Sequence, residues 1–226
     1  MKVHYRLFFF TLVLLSGLNV MAQTTPFTFG IKAGVNMSNA TIDNKDADTK
    51  LKIGYQVGAT VDYALTQEWL IQSGLSFTTK GSKIEDFDAG RTIGGDGRGT
   101  THTFNELYIQ IPLYAAYKVN VSENFGVVIG AGPYMAYGIG GKTKKKLHKA
   151  VFGDGSTERE FDTFGNAKDA IEQLKRFDLG LGLNVSAEFG KIVVSLGYEH
   201  GLLNVAAYDG MKYRNRNATL TLGYKF

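Results

Sequence analysis

The chain closes on Ala218-Thr219-Leu220-Thr221-Leu222-Gly223-Tyr224-Lys225-Phe226, where apolar and polar or small side chains alternate without a break. In a strand this spacing puts Ala218, Leu220, Leu222, Tyr224 and Phe226 on one face and Thr219, Thr221, Gly223 and Lys225 on the other. The first face is too greasy for water, and the second suits a narrow, wet interior. In lipid every backbone polar group must be satisfied within the protein, so a strand of this kind requires a closed barrel.

Seven more segments carry the same period: Phe27–Met37, Ile53–Tyr63, Trp69–Thr78, Leu107–Val119, Phe125–Tyr137, Phe177–Phe189 and Ile192–Tyr198. The count of eight is even, as single-chain bacterial barrels require. Tight turns are expected at Ala64–Glu68, Asn120–Asn124 and Gly190-Lys191, and long polar loops at Ser38–Lys52, Lys80–Asn105, Gly138–Arg176 and Gly201–Arg216. Short and long connections alternate strictly, which predicts short periplasmic turns, long outer loops and both termini on the periplasmic side. The fold class is therefore all-β: an eight-stranded antiparallel up-and-down transmembrane barrel. A short amphipathic helix is expected over Asn166–Arg176 in the third outer loop, with Ala167, Ala170, Ile171 and Leu174 on one face.

This topology predicts where aromatics should lie. Phe27, Tyr63, Trp69, Tyr117, Phe125, Phe189, Tyr224 and Phe226 fall on outward positions at the turn ends of their strands, as an interfacial girdle. Tyr55, Phe77, Tyr137, Phe177 and Tyr198 form a second belt at the loop ends. A soluble barrel with its apolar face turned inward would instead place seven inner charges and most glycines on its surface, and a soluble surface has no need of glycine. The 28 glycines against three prolines fit a narrow lumen that needs small residues where large ones point across it.

The N-terminus reads as an export signal. Lys2 and Arg6 precede an apolar run from Leu7 to Leu18, and Val20 and Ala22 occupy the small-residue positions of a cleavage site. Cleavage after Ala22 makes residues 1–22 a signal peptide and 23–226 the barrel domain. The chain has no Cys, which excludes a disulfide framework and a thiolate metal site. Two charges of the net +4 belong to the leader, so charge gives no argument for a nucleic-acid partner.

The stretches FGIKAGVNMSN, NELYIQIPLYAAYKV, GAGPYMAY, RFDLGLGLNVSAEF, LGYEHGLLNV and LTLGYKF resemble the PorT-like family of outer-membrane β-barrel proteins. The resemblance implies an eight-stranded barrel in a Gram-negative outer membrane, and the family takes its name from a role in protein secretion. It carries no catalytic signature.

Two groups of residues are candidates for function. Lys32, Asp62, Lys118, Asp178, Glu188, Glu199 and Lys225 all turn inward. In so narrow a lumen they are expected to pair as a salt-bridged plug, the alternative being a proton or ion path. The basic run Lys142, Lys144, Lys145, Lys146, His148 and Lys149 lies in the longest loop. It is expected to meet lipopolysaccharide phosphates or an acidic partner protein, unless it is simply solvated. Outside the leader the histidines are His102, His148 and His200. Strand alternation sends His200 and Glu199 to opposite faces, so they form no dyad, and Asp209 is the acid best placed to reach His200.

The expectation is a monomeric, non-enzymatic outer-membrane barrel without cofactor or metal, in contact with outer-membrane lipid and lipopolysaccharide. The barrel-insertion machinery would read Tyr224 and Phe226 as the assembly signal, and an envelope or secretion protein is the expected partner. A small passive pore is the rival, and an enzyme working at the outer rim comes third.

Overall fold

The computed structural model describes residues 26–42, 47–87, 99–148, 157–165, 173–208 and 211–226. The proposed signal peptide, Lys149 and Asp209 lie outside them. Among the described residues there are β-strands and no helix.

Eight strands close a barrel: β1 (Phe27–Ile42), β3 (Lys52–Ala64), β4 (Trp69–Lys80), β7 (Glu106–Ser122), β8 (Phe125–Gly140), β11 (Phe177–Phe189), β12 (Ile192–Gly201) and β13 (Tyr213–Lys225). They follow one another in chain order, and β13 returns to β1 to seal the wall. All pairings are antiparallel. These are the eight expected strands, several of them longer at the loop end.

The faces fall as the alternation requires. Leu220, Leu222 and Tyr224 are exposed to the bilayer, while Asn215, Asn217 and Thr221 are buried in the lumen. The lower girdle is built from direct cross-strand pairs, Phe27 with Tyr63, Trp69 with Tyr117 and Phe125 with Phe189. Their ring centroids lie 4.9, 5.1 and 4.8 Å apart. Such pairs stabilise neighbouring strands beyond the area they bury.

The outer connections depart from the expectation of plain loops. They contain β2 (Ala47–Lys50), β5 (Lys83–Phe87), β6 (Gly99–Phe104), β9 (Lys142–His148) and β10 (Thr157–Asp162), which pair as one sheet in the order β10-β9-β6-β5-β2. This second sheet prolongs part of the barrel wall: β5 continues β4, β6 leads into β7, and β9 continues β8. The bends fall at Gly81 (φ 139°), at Asn105 and at Gly141 (φ 147°). A Cβ on Gly81 would lie 2.0 Å from the Phe104 carbonyl oxygen, and one on Gly141 would lie 2.0 Å from that of Asn105. Only glycine fits the backbone there.

The described residues of the fourth outer connection take no part in the sheet. Asn204 Oδ1 accepts from the amides of Ala206 and Tyr213, and the loop folds back over the mouth. Val205, Ala206 and Tyr213 pack there with Ile84, Phe104, Tyr108, Phe164 and Leu174 into a buried apolar cluster. Leu174 caps the mouth as its apolar character predicts, but in extended bridges to Phe164 and Ala206. Residues 173–176 are not helical, and the rest of the expected helix, 166–172, lies outside the described residues.

Candidate functional site

Inside the barrel the charges sort into two layers. Near the turn end, Lys225 Nζ contacts Asp62 Oδ2 at 2.5 Å and also Glu188 Oε1, while Lys118 Nζ holds the other oxygen of Glu188 at 2.8 Å. Gln72 Nε2 donates to Asp62 at 3.2 Å. Four strands on opposite sides of the barrel, β3, β7, β11 and β13, supply these charges, so the layer ties the wall together across its width.

The second layer lies toward the loop end around Lys80, whose side chain is 0 % exposed. Its ammonium is 3.1 Å from Glu199 and 3.9 Å from Asp178, and it stands 4.2 Å from the centre of the Tyr134 ring. Gln110 and Asn217 donate to the two oxygens of Glu199, and Tyr134 and Asn215 donate to Asp178. Above them the Tyr213 hydroxyl donates to Glu106 at 2.8 Å and meets Ser82 at 2.9 Å. Glu106 is 1 % exposed.

Of the expected lumen residues, six join these layers. Lys32 does not: it lines the cavity between the layers and makes no ion pair among the described residues. The cavity measures about 90 Å³ and is lined by polar side chains that include Gln56, Asn184, Ser195 and Thr219. That is room for ordered water, bordered by Asp62, Glu188 and Lys225 of the lower layer and by Gln110 and Glu199 of the upper one.

Two principal members of the upper layer escape a sequence reading that ends the strands at Thr78 and Leu107. Lys80 continues the inward parity of Leu70, Gln72, Gly74, Ser76 and Thr78. Glu106 continues that of Tyr108 and Gln110. Parity was the available signal for both.

The basic run lies on β9, and the structure shows what stands beside it. Lys142 meets Asp162 at 2.8 Å, and Lys144 meets Glu158 at 3.4 Å and Glu160 at 3.6 Å. These contacts raise both lysines above their ordinary values, through the hydrogen bonds to Asp162 and Glu158 respectively, and hold Asp162 below its own. Lys146 sits directly opposite Glu158 and Thr101. Lys145 points to the other face, between His102 and Arg159. The run is thus split between two faces, and one of them is interleaved with acids.

At the far end of the sheet Glu85 receives Lys50 at 2.5 Å and Lys83 at 2.6 Å. The hydrogen bonds from these ammonium groups hold its carboxyl below the usual carboxylate range. His102 lies on β6 with its ring centroid 6.4 Å from that of Phe104, and His200 points away from Glu199 as alternation demands. Among the described residues no group of three or more His, Asp or Glu side chains is arranged to hold a metal ion. At the chain end the Tyr224 and Phe226 rings meet at 5.6 Å, and the Phe226 amide donates to the Phe29 carbonyl at 2.9 Å.

A family profile described as an outer membrane protein beta-barrel domain matches residues 21–207. Solved structures similar in fold include Ail, the attachment invasion locus protein of Yersinia pestis, at 13% identity and a TM-score of 0.38, covering 90% of this chain and 100% of that one. OprG from Pseudomonas aeruginosa aligns at 12% identity and a TM-score of 0.43, over 89% of this chain and 97% of its own. Neisserial surface protein A aligns at 10% identity and 0.39, over 88% and 97%. No curated protein matches the sequence.

Proposed function

Since the chain belongs to the outer membrane protein beta-barrel domain family and resides in the outer membrane, we propose that it is a non-enzymatic, non-conducting barrel. In this reading it holds a rigid β-sheet outside the membrane for contact with an envelope partner. The observation that carries the reading is the joining of three separate outer connections into one five-stranded sheet above a lumen filled by two ion-pair layers. A pore needs an open path, and here charges bridge the barrel at two heights. An enzyme at the rim needs converging groups, whereas His102 stands on the sheet and His200 on the bilayer face of the wall. The lysines of β9 with the acids of β10 offer a mixed-charge surface for a protein partner or for lipopolysaccharide phosphates. The resemblance of the strand stretches to PorT-like proteins favours an accessory role in secretion, and Tyr224 and Phe226 serve as the signal for barrel insertion.

The test has two arms. Purified protein in a planar bilayer should give no reproducible openings on the nanosiemens scale, and such openings would defeat the plugged barrel. Tagged protein should be drawn from gently solubilised native membranes together with a stoichiometric partner. Replacing residues 142–162 with a short turn should abolish that partner and leave a heat-modifiable barrel. A barrel that comes down alone before and after the replacement would defeat the docking role.

A further inference from the structure

The outward column of β13 does not end in apolar residues. Tyr224, Leu222 and Leu220 are 42%, 61% and 47% exposed, and the same column continues through Ala218 to Arg216 and Arg214, both exposed. Arg216 pairs directly with His200 of β12 on one side and with Asn39 of β1 on the other. Two residues below His200 on the same face is Tyr198, a member of the outer aromatic belt. A strand rising ~3.4 Å per residue and tilted ~40° climbs ~2.6 Å per residue along the membrane normal. Arg216 and Arg214 then stand ~21 and ~26 Å above Tyr224, where an apolar band ~25 Å tall gives way to headgroups.

This sector differs in kind from the lysine strand. Every lysine contact described for Lys142 and Lys144 is to a carboxylate. Neither Arg214 nor Arg216 has an ion pair or a side-chain hydrogen bond among the described residues. Among the described acids, the one nearest in sequence to His200, Glu199, faces the lumen and is held by Lys80, and Asp209 lies outside the described residues. The outward positions of β1 and β12 beside the arginines are Asn39, Thr41 and His200. Two guanidiniums two residues apart on one face are a like-charge pair at the edge of a low-dielectric region, with the His200 imidazole alongside as a further hydrogen-bonding group. Such an arrangement is unfavourable by itself and becomes favourable around an anion. Guanidinium matches phosphate with paired donors. Beneath the cluster lie exposed Leu181, Leu196, Leu220 and Met37, which suit acyl chains.

We propose that Arg214, Arg216 and His200 form a site for the headgroup phosphate of an outer-leaflet glycolipid, with its acyl chains on the apolar wall below. This goes beyond the docking role proposed for the outer sheet and does not depend on it.

The test uses delipidated, folded full-length protein in detergent and measures retained rough lipopolysaccharide after gel filtration. The parallel probes are the same glycolipid with its phosphates removed, phosphatidylglycerol and inorganic phosphate. The Arg214→Gln/Arg216→Gln double variant should lose about tenfold or more in glycolipid retention, the scale of one or two lost charge-assisted hydrogen bonds. Lys191→Gln, at an exposed cation in the turn between β11 and β12 at the opposite end of the barrel, should retain it as the parent does, and the dephosphorylated glycolipid should bind as weakly as in the double variant. Should the double variant fail to fold, Arg214→Lys/Arg216→Lys keeps the charge and removes the paired donors, and it should still weaken retention several-fold. Equal retention by the arginine variants, or by the dephosphorylated glycolipid, overturns the site. Equal binding of phosphatidylglycerol marks a generic interfacial anchor, and saturation by inorganic phosphate marks a free-anion site. Either of these outcomes overturns the glycolipid assignment.

Discussion

The hydroxyl of Tyr114 on β7 lies 2.1 Å from where a Cβ would stand on Gly182 of β11. The tyrosine reaches Gly182 by leaning over β8, where Gly132 pairs with Gly182 and a Cβ on Gly132 would lie 3.0 Å from the Tyr114 Cα. Tyr134 of β8, directly paired with Gly180 of β11, lies over that glycine in turn, with its hydroxyl 2.6 Å from a Cβ placed there. The glycines of this sector are thus the beds of two tyrosines. Gly182→Val should destabilise the barrel by roughly 1–3 kcal/mol through overpacking. Tyr114→Ala in the same chain should recover part of that loss, a coupling that urea unfolding in lipid vesicles will read.

Lys80 faces two carboxylates with no other cation paired to them among the described residues. Lys80→Met removes the cation and strands Glu199 and Asp178 in the lumen, an outcome expected to cost about 3–5 kcal/mol. Glu199→Gln in the Lys80→Met background should restore part of that stability, since only Asp178 then remains stranded, and an unchanged unfolding midpoint in Lys80→Met would refute the upper layer as a structural tie.

Leu222 faces the bilayer between Ala33 and Val194. Leu222→Arg should block assembly, since an arginine at mid-depth costs about 2–4 kcal/mol. Thr221→Ser, on the buried inner face, should leave a normal heat-modifiable band on a gel. A normal band from Leu222→Arg would reverse the faces.

The outer sheet has its own pH response. Glu85 titrates below its ordinary value in the folded sheet because Lys50 and Lys83 bond to it. Its contribution is present above the unfolded value and is lost as pH falls through the folded one. Amide protection along β2 and β5 should therefore decline on acidification below the usual carboxylate range, and Glu85→Gln should remove that dependence. Protection that rises on acidification would contradict the sign.

Gly141→Ala places a side chain at φ 147° against the Asn105 carbonyl. Strain of this kind costs about 1–3 kcal/mol. The loss should appear as faster exchange in β6 and β9, with the barrel strands unchanged.

The barrel was legible because lipid permits no ambiguity: each spanning strand must show one apolar face, and the period-two pattern is all that is needed to find it. The outer sheet was not legible, because water bathes much of its surface. Lys142-Thr143-Lys144-Lys145-Lys146 alternates nothing that a hydrophobic pattern can register, and its pairing is specified instead by Glu158, Glu160 and Asp162 on the next strand. The lumen charges were legible as a set, but their partners were not. Lys225 finds Asp62 across a separation of 163 residues, and only closure of the barrel brings them together.

The bends at Gly81, Asn105 and Gly141 have a consequence for how this protein can vary. A closed barrel has a fixed stagger between its strands, and a residue added to any one of them must be absorbed all the way around. Beyond the bends hydrogen bonding starts again in a sheet that, among the described residues, does not close on itself, so no such closure condition holds there. The outer hairpins can therefore lengthen, shorten or change register by whole pairs of residues while the wall beneath keeps its geometry. Two regimes of sequence change, one locked and one permissive, meet along a line only a few residues wide.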